Sequence, residues 1–190
     1  SSSTGSFVTT VPSVSESYTV TGFVGSCTNT AVSSVTIIPS PSITITPTIT
    51  SICSGQTSTL TAFGANTYTW NSSSTLSSNS GSLVVANPIA STVYTVTGNL
   101  SGCTATATKT VSVTVKATPT VAISNATVCS GTAANLVASG ATSYSWNTGA
   151  TTASISVTPT VTSNYTVTGT TNGCVNTKTV SVTVKVTPTV

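Results

Sequence analysis

Lys109-Thr110-Val111-Ser112-Val113-Thr114-Val115-Lys116 decides the fold. Val111, Val113 and Val115 alternate with Ser112 and Thr114, so the valines share one face of a strand and the hydroxyls the other. The same eight residues return as Lys178-Thr179-Val180-Ser181-Val182-Thr183-Val184-Lys185. The repeat extends outward on both sides. Tyr94-Thr95-Val96-Thr97-Gly98 precedes the first copy and Tyr165-Thr166-Val167-Thr168-Gly169 the second, with Gly102-Cys103 and Gly173-Cys174 between. Further upstream, Cys53-Ser54-Gly55, Leu60, Ala62, Gly64, Ala65, Tyr68, Trp70 and Asn71 recur as Cys129-Ser130-Gly131, Leu136, Ala138, Gly140, Ala141, Tyr144, Trp146 and Asn147. Many spaced identities in one order define a tandem repeat. The second copy is shorter by five residues between Trp146 and Tyr165.

The rest of the chain falls into the same frame. Tyr18-Thr19-Val20-Thr21-Gly22 and Cys27 match the back half of a repeat, so residues 1–40 read as the C-terminal part of one. Residues 41–117 and 118–186 read as two complete repeats. Thr187-Pro188-Thr189-Val190 repeats Thr118-Pro119-Thr120-Val121, the opening of a further one. Ile43 and Ile45, and Ile155 and Val157, alternate as the valines do. Asn79-Ser80-Gly81 and Asn172-Gly173 supply turn chemistry between the runs. Short strands with regular turns and no helical period predict an all-β fold of tandem two-sheet sandwiches.

Each complete repeat holds two cysteines, which predicts one intradomain disulfide apiece, Cys53–Cys103 and Cys129–Cys174. A closed loop of about 50 residues would stabilise a small core by roughly 4 kcal/mol in the chain-entropy account. Cys27 occupies the position of Cys103 and Cys174, so its partner is expected in the front of its own repeat, outside this chain. Disulfides persist in oxidising compartments, which points to an extracellular or cell-surface protein. Trp70 and Trp146 each stand 17 residues after the first cysteine of their repeat, and strand parity makes them core residues near the disulfide rather than exposed carbohydrate platforms.

The composition excludes several functions. Only 3% of residues are charged: four Lys and one acid, Glu16, with no His. General acid–base catalysis needs His or tuned carboxylates, and the complete repeats have neither. Their serines have no base to activate them. Calcium needs carboxylate oxygens and zinc a closer ligand set. No catalytic residue, cofactor or metal is therefore expected, and the chain reads as no enzyme. Four scattered lysines give no electrostatic footprint for nucleic acid. No apolar run approaches the roughly 20 residues of a membrane helix, so membrane insertion is not expected. Lys109 with Lys116, and Lys178 with Lys185, bracket the long valine strands and read as guards against edge-to-edge pairing. Asn71-Ser72-Ser73, Asn99-Leu100-Ser101, Asn125-Ala126-Thr127 and Asn164-Tyr165-Thr166 match the glycosylation triplet, which arises readily by chance in so hydroxyl-rich a chain.

The pattern of Cys53, Gly55, Leu60, Ala62, Gly64, Tyr68, Trp70, Pro88, Tyr94, Val96, Gly98, Gly102 and Cys103, repeated from Cys129 through Cys174 with Pro159 before Tyr165, resembles the Ig-like tandem repeats of large Bacteroidota cell-surface and adhesin proteins, the type IX secretion-associated family. The resemblance covers the whole chain. It implies a structural repeat segment of an extracellular filament or stalk, with neighbouring repeats or further copies as partners in a fibre. Short junctions carrying proline, Ile38-Pro39-Ser40-Pro41 and Lys116-Ala117-Thr118-Pro119, suit a stiff rod. The alternative expectation is an adhesin module whose end loops bind surface glycans.

Overall fold

A computed structural model describes residues 7–102 and 105–186. Among them every regular element is a strand, and none is a helix. Residues 187–190 lie outside the described residues, as does Cys103.

The chain opens with a hairpin, β1 (Glu16–Val24) and β2 (Cys27–Val35). It pairs Tyr18 with Ser33 and Val24 with Cys27. A first sandwich follows. One sheet orders β3 (Thr44–Pro47), β5 (Ser58–Phe63) and β7 (Leu83–Ala86) side by side. The other orders β4 (Ser51–Cys53), β9 (Thr106–Lys116), β8 (Thr92–Asn99) and β6 (Thr67–Trp70). The short strand β4 runs parallel to the end of β9, while every other pairing is antiparallel. A second sandwich repeats this plan. Its sheets are β10 (Ala122–Ile123), β12 (Ala134–Ser139) and β14 (Ser154–Val157), and β11 (Ala126–Cys129), β16 (Cys174–Lys185), β15 (Ser163–Thr171) and β13 (Ser143–Trp146). A three-stranded sheet facing a four-stranded one, with a split first strand shared between them, is an Ig-like sandwich.

Alternation makes the cores. In β5 Ser58, Leu60 and Ala62 point inward, and in β8 Tyr94, Val96 and Gly98 do. The first core gathers Ile52, Leu60, Trp70, Val84, Tyr94, Val96 and Val113, and the second gathers Leu136, Trp146, Val167, Val180 and Val182. These are separate clusters, so each sandwich carries its own hydrophobic stabilisation.

Both tryptophans are buried, as parity predicts, at 2% and 3% exposure. Trp70 Nε1 donates to Gly81 O and Trp146 Nε1 to Thr152 O, each at 2.9 Å, so neither indole buries an unpaired donor. The neighbouring motif residues also have mechanical roles. Tyr68 Oη bridges the Ala65 amide and carbonyl, and Tyr144 Oη does the same at Ala141. Asn71 Oδ1 accepts from Thr95 N and Asn147 Oδ1 from Thr166 N, strapping the end of one strand to the middle of another.

The five-residue difference has a clear place. Residues 71–82 make a long excursion in the first sandwich, where Thr75 Oγ1 lies 2.7 Å from Tyr94 Oη and Tyr94 is fully buried. In the second, Trp146 N bonds Ala150 O across a tight turn. The cover over Tyr165 is gone, and that ring is half-buried.

Candidate functional site

The expected disulfides are corrected by the structure. Cys53 is bonded to Cys174, across 121 residues, with Cα atoms 5.6 Å apart. The bond joins the first sandwich to the second. Cys53 is therefore not available to Cys103, which lies outside the described residues, and Cys174 is not available to Cys129.

The reason is the position of each cysteine along its sandwich. Cys129 pairs with Lys185 at the end of β16, whereas Cys174 opens β16 opposite Thr171. Eleven residue steps along β16 separate those two ends, about 36 Å at the usual rise. A disulfide needs Cα atoms within about 7 Å. Cys129 and Cys174 thus sit at opposite poles of the second sandwich, and pairing by repeat fails there. No disulfide pins the two sheets together beside tryptophan among the described residues, where Leu60 on β5 and Val96 on β8 share the core with Trp70.

Across the junction, opposite poles meet. Cys53 ends β4 beside Lys116, the last residue of β9. Its place is held by a closed turn: Ser54 N donates to Lys116 O, Gln56 N to Cys53 O, and Cys53 N to Gln56 Oε1. Gly55 takes a left-handed φ of 88° in that turn, which glycine adopts at no steric cost. From the second sandwich, Asn172-Gly173 turn β15 into β16, both with positive φ, the arrangement a two-residue hairpin loop requires. This hairpin presents Cys174 to the junction, where the sulfur is fully buried and lies 4.0 Å from Lys116 O.

The connecting chain is fixed as well. Asn176 Nδ2 donates to Pro119 O at 3.0 Å, and Pro119 is buried. Val121 fills the space that a side chain at Gly169 would occupy, and Thr120 O closes on Gly140. The first sandwich treats its incoming segment identically: Ile43 fills the space at Gly98, and Ser42 O closes on Gly64. The glycines of Tyr-x-Val-x-Gly therefore open a slot for the incoming strand. Ile38, three residues before Pro41 as Lys116 is before Pro119, touches the next hairpin: a Cβ on Gly102 would come within 3.1 Å of Ile38 Cδ1.

The two lysines that bracket β9 differ in setting. Lys109 lies on the part of β9 that β4 leaves uncovered, whereas Lys116 faces Cys53 in a paired ladder. Among the described residues, no group of three or more His, Cys, Asp or Glu side chains lies together. A shallow open groove in the first sandwich, lined by Phe63, Tyr68 and Gly81 among others, carries no charged side chain.

No protein-family model matches the sequence, and no curated protein sequence does. Solved Ig-domain structures are similar in fold. The N-terminal eight Ig domains of Down Syndrome Cell Adhesion Molecule (DSCAM) overlay with a TM-score of 0.48 at 15% identity, covering 89% of this chain and 28% of that one. Drosophila OTK extracellular domains 3–5 give 0.44 at 10% identity, covering 89% and 70%. The I67–I69 fragment of titin gives 0.40 at 11% identity, covering 77% and 66%. The chain thus spans just over a quarter of the DSCAM structure it resembles. The sheet order itself defines the sandwiches as Ig-like.

Proposed function

We propose that this chain is a force-carrying segment of an extracellular stalk, in a large surface protein of the Bacteroidota kind that its motifs resemble. The repeats at 41–117 and 118–186 are its stacked units, and it has no catalytic role. The observation that carries the reading is the Cys53–Cys174 bond. Tension applied along the chain would enter through β3 and β4, cross from Cys53 to Cys174, and leave along β16. Residues 54–173 lie off that path. Nearly all of both sandwiches is shielded from being pulled open, and about 400 Å of contour stays hidden at the usual length per residue. A catalytic or ligand-binding domain gains nothing from such a bypass, while a stalk gains resistance to extension. The tryptophans are buried, so neither serves as the stacking platform that a glycan-binding module would use. The disulfide suits an oxidising location such as the cell surface.

Two measurements test the reading. In single-molecule pulling from the two ends, the oxidised chain should extend about 400 Å less than the reduced chain. Solution scattering should give an elongated particle that becomes more flexible on reduction. A compact shape, or an oxidised chain that unravels to full contour, refutes the proposal.

A further inference from the structure

The same chemistry stands ready at the other end of the second sandwich. Cys129 is to β16 what Cys53 is to β9: the last residue of a short parallel strand, opposite the final lysine. The surrounding bonds correspond. Ser130 N donates to Lys185 O as Ser54 N does to Lys116 O, and Thr132 N to Cys129 O as Gln56 N does to Cys53 O. Gly131 takes a φ of 74° where Gly55 takes 88°. One member of this matched pair is bonded to the hairpin cysteine of the following sandwich, and the other is an exposed free thiol.

We propose that Cys129 forms the next staple: a disulfide with the hairpin cysteine of a further repeat of this type, seated on the Lys185 end of the second sandwich. The partner is chemically defined as a cysteine that opens a long closing strand directly after a turn glycine, as Cys174 does after Gly173; Gly102-Cys103 repeats that dipeptide in sequence, and Cys27 holds the same place in its repeat. Bond formation removes two protons and two electrons from the two thiols. A disulfide oxidant, protein or small molecule, accepts them and is reduced to two thiols. The rule that follows is an interleaved ladder, in which each repeat's first cysteine bonds the second cysteine of the repeat after it. Cys27 and Cys103 would then bond cysteines of earlier repeats, not of their own. In such an array the covalent bypass is renewed at every junction, and no single sandwich can be drawn out. The inference rests on the stalk reading for the presence of a next repeat.

The test continues the full 190-residue chain in phase with a second copy of residues 122–186, since Val190 holds the place of Val121. Cys27→Ser and Cys103→Ser suppress exchange. After oxidation in a glutathione pair, non-reducing proteolysis and mass spectrometry should find Cys53–Cys174 together with Cys129 bonded to the added hairpin cysteine. Alkylation of Cys129 should fall at least tenfold against the chain without the added repeat. A second continuation, with residues 44–117 in place of 122–186, guards against misfolding of the first and should give the same bond. If Cys53–Cys174 forms while Cys129 stays alkylatable in both, the inference is overturned. A Cys129–Cys174 bond overturns it together with the junction itself. An elongated particle with a free Cys129 leaves the stalk standing and removes only the ladder, while a compact particle removes the stalk.

Discussion

Cys53→Ser is expected to destabilise both sandwiches, although Cys53 belongs only to the first. The two cores are separate, so each sandwich can unfold while the other stays folded. When only the second unfolds, the bond holds its chain between the folded junction near residue 117 and Cys53 through Cys174. When only the first unfolds, the closed segment runs from Cys53 to the same junction. Each is a loop of roughly 60 residues, and closing it costs the unfolded state about 4 kcal/mol in the chain-entropy account. For a domain of this size 1 kcal/mol moves the melting temperature by about 4–8 °C, so both transitions should fall by roughly 15–30 °C at most. Native strain and residual structure in the unfolded chain reduce that figure. Hydrogen exchange read by mass spectrometry resolves the two sandwiches within one chain, and calorimetry gives the midpoints. Cys174→Ser should reproduce the effect, and the double variant should add nothing to either. A bond confined to the first repeat predicts something different: Cys53→Ser would weaken residues 41–117 and leave 118–186 untouched. That outcome would refute the junction.

Trp146→Ala should destabilise the second sandwich by about 3–5 kcal/mol, the usual cost of emptying a large buried aromatic site, with chemical denaturation as the readout. Tyr144→Phe removes the hydroxyl that both accepts from Ala141 N and donates to Ala141 O, and should cost about 1–2 kcal/mol in the same assay. Gly169→Ala sets a methyl group against Val121 and Ala141, and should cost about 1–3 kcal/mol and loosen the incoming strand, seen as faster amide exchange around residues 120–123. Cys129→Ser in the 190-residue chain should leave both melting transitions in place, because its thiol is exposed and bonded to nothing among the described residues.

The strands were legible because period-two alternation is a local signal. Val111, Val113 and Val115 declare a face whatever the sandwich around them, and the repeated Tyr-x-Trp places the largest side chain on the same parity twice. The disulfide was not legible by counting, because counting assigns cysteines to repeats and geometry assigns them to poles. A signal was present all the same. Cys174 follows Asn172-Gly173, a hairpin turn at one end of the long closing strand, whereas Cys129 precedes Ser130-Gly131 at the close of a short strand that runs parallel to it. In an antiparallel pair the turn marks one pole, and a parallel partner ending beside the last strand residue marks the other. That parallel pairing is a non-local fact that no pattern within Ala126–Cys129 encodes. The glycines behave similarly. Gly98 and Gly169 recur in sequence, and only the packing of Ile43 and Val121 against them shows what they make room for.

A staple between repeats answers a physical need that the composition creates. With 3% charged residues, the ends of these sandwiches have little charge complementarity to set orientation, and a proline junction alone fixes only the path of one chain. A small contact between stacked domains is otherwise of the transient kind, so relative motion is the default. The Cys53–Cys174 bond supplies a second covalent tether at the same junction, and Asn176 on Pro119 fixes the chain beside it. Two tethers at different points of one interface remove swivelling that a single linker permits. An intradomain disulfide would have stabilised each sandwich equally well and left the joint free. Placing the cysteines at opposite poles therefore spends the same bond on both tasks: it limits the unfolded chain of two sandwiches and fixes their joint.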